Sequence, residues 1–412
     1  MKTKQARAEM AGVLLVLLLT ALPVGWWGIE DFTGALTFTG RITGAALILV
    51  SLMTLAGALA VVDHWARGTM PYSGLFALIC TGVAFLVNAM LLLQASTDGE
   101  RIIYPVLLGL LTVGSAWAAV MVWRTVSDMP APKLAAALIV SSVIAIANFS
   151  YQNLYQPFHR GARPLITIGV GKPMLSKDRK RFAVPVDIRL ENHSDVGFYV
   201  FGAEFHAMGE KVPLTPEDRL RTQWRTDAAQ TRQFRERSPL SRREVHQPGQ
   251  LVVAHPWMGP GDWIEANDSF VTRAVVQLPI DTPYDHLAFY ATANFGRKDR
   301  VGLDRYGRVE YSWRGGKVAK WAKSKDIDCV IYHARVSENN AIDKHTRYPR
   351  YVTAYWQFGQ QGAGVTVSIA RNGQEDRTPT DAEVRDVSSR YGLVDAGAGP
   401  IERTLWDIKT QR

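Results

Sequence analysis

The stretch DIDCVIYH brings Asp326, Asp328, Cys329 and His333 within eight residues. On a strand, Cys329 and His333 share a face, which offers a metal ion two ligands. Two ligands fall short of a tetrahedral site, and a strand cysteine beside a core is ordinarily a buried apolar group. HPWMGPGDWIEAND gathers His255, Asp262, Glu265 and Asp268 around a glycine-rich loop. An imidazole beside carboxylates can move protons, yet polar residues joining strands mostly serve as solvated turn formers. Asp285 and His286 are adjacent on a strand and so face opposite ways. GVGKP at 169–173 lacks the spacing and the Gly-Lys-Ser/Thr of a phosphate loop. There is no G-x-S-x-G, H-E-x-x-H or C-x-x-C. Nothing forces a reaction mechanism, so no catalytic, cofactor-binding or metal-ligating residue is assigned and no cofactor is expected.

Two cationic stretches could instead make contacts. In TPEDRLRTQWRTDAAQTRQFRERSPLSRRE, Thr215 can cap a helix, Pro216 suits its first position, and Leu220, Trp224, Ala228 and Phe234 recur at roughly helical spacing. The other face of this predicted helix, 215–238, carries Arg221, Arg225, Arg232 and Arg235. YSWRGGKVAKWAKSKD places Trp313 and Trp321 among Lys317, Lys320, Lys323 and Lys325. Aromatic rings among cations suit headgroups or single-stranded nucleic acid; solvated charge accounts for both stretches equally simply.

The elements that carry these residues fall into two unlike halves. Residues 1–152 hold 8 Lys/Arg against 7 Asp/Glu, whereas residues 153–412 hold 39 against 31, so the basic excess belongs to the second half. Five apolar runs fill the first half: Met10–Gly28, Ile42–Val62, Tyr72–Gln94, Ile102–Trp123 and Leu134–Gln152. About 20 helical residues match a ~30 Å hydrocarbon core, and Trp26, Trp27, Trp65, Tyr104, Trp123, Tyr151 and Tyr155 sit near run ends, where aromatics favour headgroup level. Lys2, Lys4, Arg7, Arg67, Arg124 and Lys133 fall on one side and only Arg41 and Arg101 in the opposite short loops. That bias predicts a cytoplasmic N-terminus over 1–9, five spans over 10–152, and an extracytoplasmic remainder. The interiors of the runs contain no ionisable residue, which argues against a self-contained transporter or proton pump. Small residues Ala56, Gly57, Ala60, Gly109, Gly114 and Ala118 are spaced for helix packing, with Asn88 expected nearer a run end than its centre.

In the second half, FAVPVDIRLEN and FYVFGAEFH alternate with period two, and further strands are expected at Leu165–Val170, Leu251–His255, Phe270–Leu278 and His286–Asn294. Their spacing predicts an antiparallel, immunoglobulin-like β-sandwich over 153–300, interrupted by the helical insertion, with Tyr284 placed as a tyrosine corner would be. A small α+β subdomain is expected over 301–412. Its helix has a capping box, Thr380 to Glu383, a glycine stop at Gly392, and a buried stripe of Val384, Val387 and Tyr391. Cys80 and Cys329 lie in different halves and make no disulfide framework.

These features predict a non-enzymatic, multi-pass protein of the cell membrane whose extracytoplasmic β-rich domain binds an envelope component or a partner protein. The alternative is an accessory subunit of a transport or secretion complex, and a third is an envelope hydrolase or transferase. The expected partners are the lipid bilayer, another protein or a second copy of the chain, and an anionic lipid or wall polymer. Nucleic acid enters only if the C-terminal domain is cytoplasmic.

Overall fold

A computed structural model describes residues 2–126, 161–211, 249–323, 326–360 and 362–409, with isolated positions 141, 144, 148, 151 and 225. Most of the fifth apolar run and most of the predicted arginine-rich helix lie outside the described residues. The chain forms two compact units. One comprises 1–162, 298–304 and 336–350; the other comprises 163–297, 305–335 and 351–412.

The first unit is built on four long helices: α1 (Lys2–Gly34), α2 (Phe38–Val62), α3 (Ser73–Thr97) and α4 (Ile103–Val126). Each is long and apolar enough to cross a membrane. They run alternately up and down, because short connections force neighbours antiparallel. Glycine sets the α1–α2 crossing. A methyl group on Gly44 would lie 2.4 Å from the Phe32 amide nitrogen, and one on Gly28 would lie 2.8 Å from that of Ile48. Gly57 likewise faces Cys80 of α3, and Gly114 faces Val16 of α1, so these small residues serve packing within the bundle. Asn88 corrects the expectation from sequence. It is 1% exposed, three residues from the middle of α3, and its amide donates to Thr20 Oγ1 at 2.9 Å and Ser115 Oγ at 2.8 Å. One polar side chain thus ties α1, α3 and α4 where water cannot compete.

The second unit is mostly antiparallel β-sheet. In chain order the strands are β1 (Leu165–Val170), β2 (Met174–Leu175), β3 (Arg181–Glu191), β4 (Phe198–Glu210), β5 (Gln250–His255), β6 (Trp263–Ile264), β7 (Ser269–Pro279) and β8 (His286–Arg297). They continue with β9 (Val301–Leu303), β10 (Arg308–Tyr311), β11 (Ile327–Glu338), β12 (Arg350–Gly359), β13 (Gly362–Arg371) and β14 (Val394–Thr404). Three further short α-helices are α5 (Ala341–Thr346), α6 (Asp381–Tyr391) and α7 (Trp406–Lys409). Strand β9 and the end of β11 belong to the first unit, where Val301 pairs with Glu338.

Alternation explains the sheets. Phe182, Val184, Val186, Ile188 and Leu190 are all buried along β3, which pairs with β1, β2 and β7. A second sheet runs β14-β8-β4-β5, and a third runs β10-β11-β12-β13. β14 hydrogen-bonds along β8 from Val394–Phe295 to Thr404–His286, so the C-terminal stretch completes a sheet begun before residue 300. Two expectations change. Val384 is 46% exposed and only Tyr391 of the predicted α6 stripe is buried; the helix rests on its capping box and on Gly392 at φ 60° instead. The Tyr284 hydroxyl donates to the Gln250 side chain at 2.8 Å, not to backbone as a tyrosine corner would.

Candidate functional site

The lysine stretch is a seated loop, not a loose linker. Ala319 is buried against Cys329, Ile331 and Tyr355, with Val318, Trp321 and Ala322 packed alongside. Trp321 donates from Nε1 to the Glu375 carbonyl at 2.8 Å, and its ring stands edge-on to Tyr355 at 5.4 Å. The Lys317 amide donates to Glu310 and the Lys320 amide to Asp376, at 3.1 and 3.3 Å. Lys317, Lys320 and Lys323 are exposed, and no ion pair with another described residue engages their ammonium groups. The two tryptophans do not form one platform. Trp313 packs on Tyr311 and Phe358, at 5.1 and 6.0 Å between ring centres. Tyr311 pairs with Val330, the β11 residue next to Cys329, so its ring lies on the sheet face opposite the loop. Of the predicted arginines, Arg225 is helical and exposed; Arg221, Arg232 and Arg235 lie outside the described residues.

The candidate reactive groups are scattered. Burial, with the Asp328 carboxylate beside it, pushes the Cys329 thiol up to about 12, which keeps it protonated and a poor nucleophile or ligand. His333 shares a hydrogen bond with Thr353 at 2.9 Å. Asp262 accepts the Gly259 amide at 2.9 Å and Asp268 the Ser269 amide at 2.8 Å, both as turn formers. His255 pairs with Phe205, whereas the Asp285 amide meets Glu210 five residues further along β4, roughly 17 Å at ~3.4 Å per residue. Among the described residues no three His, Cys, Asp or Glu side chains are grouped to hold a metal ion.

A different polar cluster is assembled within the first unit, at the end where α1 and α3 finish. α5 and its flanks pack there. Ala341 and Ile342, 3% and 4% exposed, join Val24 and Trp27 of α1, Leu91 and Ala95 of α3, and Leu108 of α4. Asn340 caps α5 by accepting the Asp343 amide at 2.8 Å. Asp31 of α1 accepts the Ala341 amide at 2.6 Å, and Gln94 of α3 donates to Asp343 at 3.2 Å. Glu30 pairs with both Lys344 and His345, the latter at 2.8 Å. Arg347, almost wholly buried, meets Glu338 at 2.8 Å, Asp343 at 3.2 Å and the Asp98 carbonyl at 3.0 Å. Glu100 binds Arg350 and accepts the Tyr348 amide at 3.0 Å. Burial holds Asp343 above the ordinary carboxylate range, against the opposing pull of Arg347.

Sequence reasoning missed this cluster. In sequence Glu30, Asp31, Asp98 and Glu100 are acids of the short connections between apolar runs, and the cited partners lie 248 to 315 positions away. The available signal was complementarity: four acids in two loops, and Lys344, His345, Arg347 and Arg350 within seven residues.

No family model matches the chain, and neither does any curated protein sequence. Among solved structures, the X-ray structure of Northeast Structural Genomics Consortium target SoR45 aligns over 33% of this chain and 74% of its own, at 9% identity and a TM-score of 0.19. Spo0M, a sporulation control protein from Bacillus subtilis, aligns over 58% of this chain and 91% of its own, at 8% identity and a TM-score of 0.20. Likeness at that level carries no argument about fold or function.

Proposed function

We propose that this is a non-enzymatic, multi-pass membrane protein of the cell envelope whose extracytoplasmic β-rich part binds an anionic envelope component through the 316–323 loop. The observation that carries the reading is the presentation of Lys317, Lys320 and Lys323. All three are exposed on a backbone fixed by Glu310 and Asp376 and by buried Ala319. Pre-set cations lose little entropy when a polyanion binds, so such a loop favours association.

The reading includes five crossings. α4 ends at Val126, beside Gly74, with Thr125 on His64 at 3.0 Å. Residues 336–350 pack at the opposite end, beside Glu30, Asp98 and Glu100. The apolar run 134–152, about 20 residues long, would carry the chain from one end to the other, which supports reading it as a fifth crossing. The lysine and arginine bias then puts the N-terminus in the cytoplasm. The facing antiparallel sheets around β3 and β4 are read as immunoglobulin-like in architecture.

The test uses full-length protein in nanodiscs of neutral lipid and a fluorescent sulfated polysaccharide as a stand-in for an anionic polymer. The reading expects binding that weakens with salt and falls at least tenfold in the triple variant Lys317→Glu/Lys320→Glu/Lys323→Glu. Equal binding by both proteins would refute it.

A further inference from the structure

We propose that residues 338–350 are a releasable latch, which fastens the ends of α1 and α3 to each other. The inference stands on the geometry of the first unit and does not depend on what the lysine loop binds.

Four observations carry it. First, α5 is six residues long, too short to persist as an isolated helix in water. Its first amide, at Ala341, is satisfied from outside by Asp31, and its Asp343 carboxylate accepts from Gln94. Folding of α5 and its docking are therefore one event, which gives the segment two states: docked and helical, or released and unstructured. Second, its partners are divided between two separate helix ends. Lys344 and His345 hold Glu30 at the end of α1; Arg347, Tyr348 and Arg350 hold Asp98 and Glu100 just beyond α3. A segment attached to only one helix would not need both sets. Gly99 makes room for the second set, since a methyl there would lie 3.3 Å from Thr346 Cβ and 2.3 Å from the Ala95 carbonyl oxygen.

Third, the attachment is mostly polar. Ala341 and Ile342 are its buried apolar anchors, and in the Lys344–Glu30 pair the lysine is exposed, at 55%, and the carboxylate half-buried, at 24%. Such a contact opens without the bundle coming apart, because the helices bury their own apolar seams elsewhere, around Leu17, Val61, Leu78 and Val122. Fourth, the latch is the connection between β11 and β12, the strands that carry Cys329, Ile331 and Tyr355.

A charge swap read by hydrogen exchange tests the proposal on the full-length protein in nanodiscs. Glu30→Lys replaces attraction at Lys344 with repulsion, and exchange of the 341–347 amides is expected to rise about tenfold, with a smaller rise over 94–101. Adding Lys344→Glu restores the opposite charges, and exchange is expected to return to within about threefold of the parent. The 63–72 connection, at the far end of the bundle, is expected to stay unchanged in both variants. Three results would overturn the proposal: no change at 341–347 in the single variant, no recovery in the double variant, or an equal rise at 63–72, which marks general loosening. Lys344→Glu alone, which alters only the latch side, guards against a folding defect in α1 and is expected to reproduce the single-variant rise.

Discussion

Replacing Ile342 by alanine removes the main apolar anchor of α5. Ile342 is 4% exposed and clusters with Val24, Trp27, Leu91, Ala95 and Leu108. The substitution deletes three carbon atoms, worth ~0.8 kcal/mol each when buried, and the cavity left behind raises the total to about 3 kcal/mol. That loss falls chiefly on docking of a six-residue helix, because the bundle's other seam, around Leu17, Val61, Leu78 and Val122, does not involve Ile342. A cost of about 3 kcal/mol shifts the docked-to-released ratio by a factor on the order of 100. Hydrogen exchange of the 341–347 amides reads that ratio, with the β4 and β8 amides as an internal control expected to hold steady. A change under threefold at 341–347 would refute the packing argument, and an equal change in β4 and β8 would refute the claim that the contact is local.

Two further outcomes follow from the same unit. Gly44→Val drives a side chain into the Phe32 backbone, 2.4 Å from where the first added carbon would sit; overpacking costs about 1–3 kcal/mol or more, and protease sensitivity of the 34–38 connection is expected to rise while that of 97–103 does not. The pH dependence of the latch follows from Asp343, whose folded-state pKa is raised by burial. A carboxylate that holds its proton more tightly when docked favours docking in full below its ordinary value, and that advantage is lost as pH rises through the raised value. Protection of 341–347, corrected for intrinsic exchange, is therefore expected to fall from acid toward neutral pH, and Asp343→Asn is expected to flatten the dependence. The other charges facing Asp343 are Arg347, Glu338, Asp98 and Asp31, so a slope unchanged in the variant would assign the effect to them.

Much of the architecture was legible because it follows from local periodicity. The runs within α1 to α4 are hydrophobic all round, and β1, β3, β7 and β8 alternate along the sequence, as burial on one face of a sheet demands. Element ends were less legible. α1 continues from Gly28 to Gly34 because Glu30 and Asp31 find partners on α5, and nothing within 29–34 announces them. The lysine loop was readable as cationic, but its two tryptophans could not be assigned to opposite faces of a sheet without the pairing of Tyr311 with Val330. Val384 misled for a related reason: helical spacing identifies an apolar stripe, and only the neighbouring elements decide how much of it is covered. The latch was the least readable feature, since each half is an unremarkable set of surface charges until the chain brings Glu30 to Lys344 and Glu100 to Arg350.

The most direct test of the account is the side of the membrane on which the C-terminus lies. Paired fusions after Arg412, one to a reporter active only outside the cytoplasm and one to a reporter active only within it, measure this in intact cells. The account predicts activity of the outside reporter alone, with the reverse for fusions in the 67–72 connection. Activity of the inside reporter at the C-terminus would contradict it: the fifth crossing, the extracytoplasmic β-rich part and an envelope polymer as ligand would fall together.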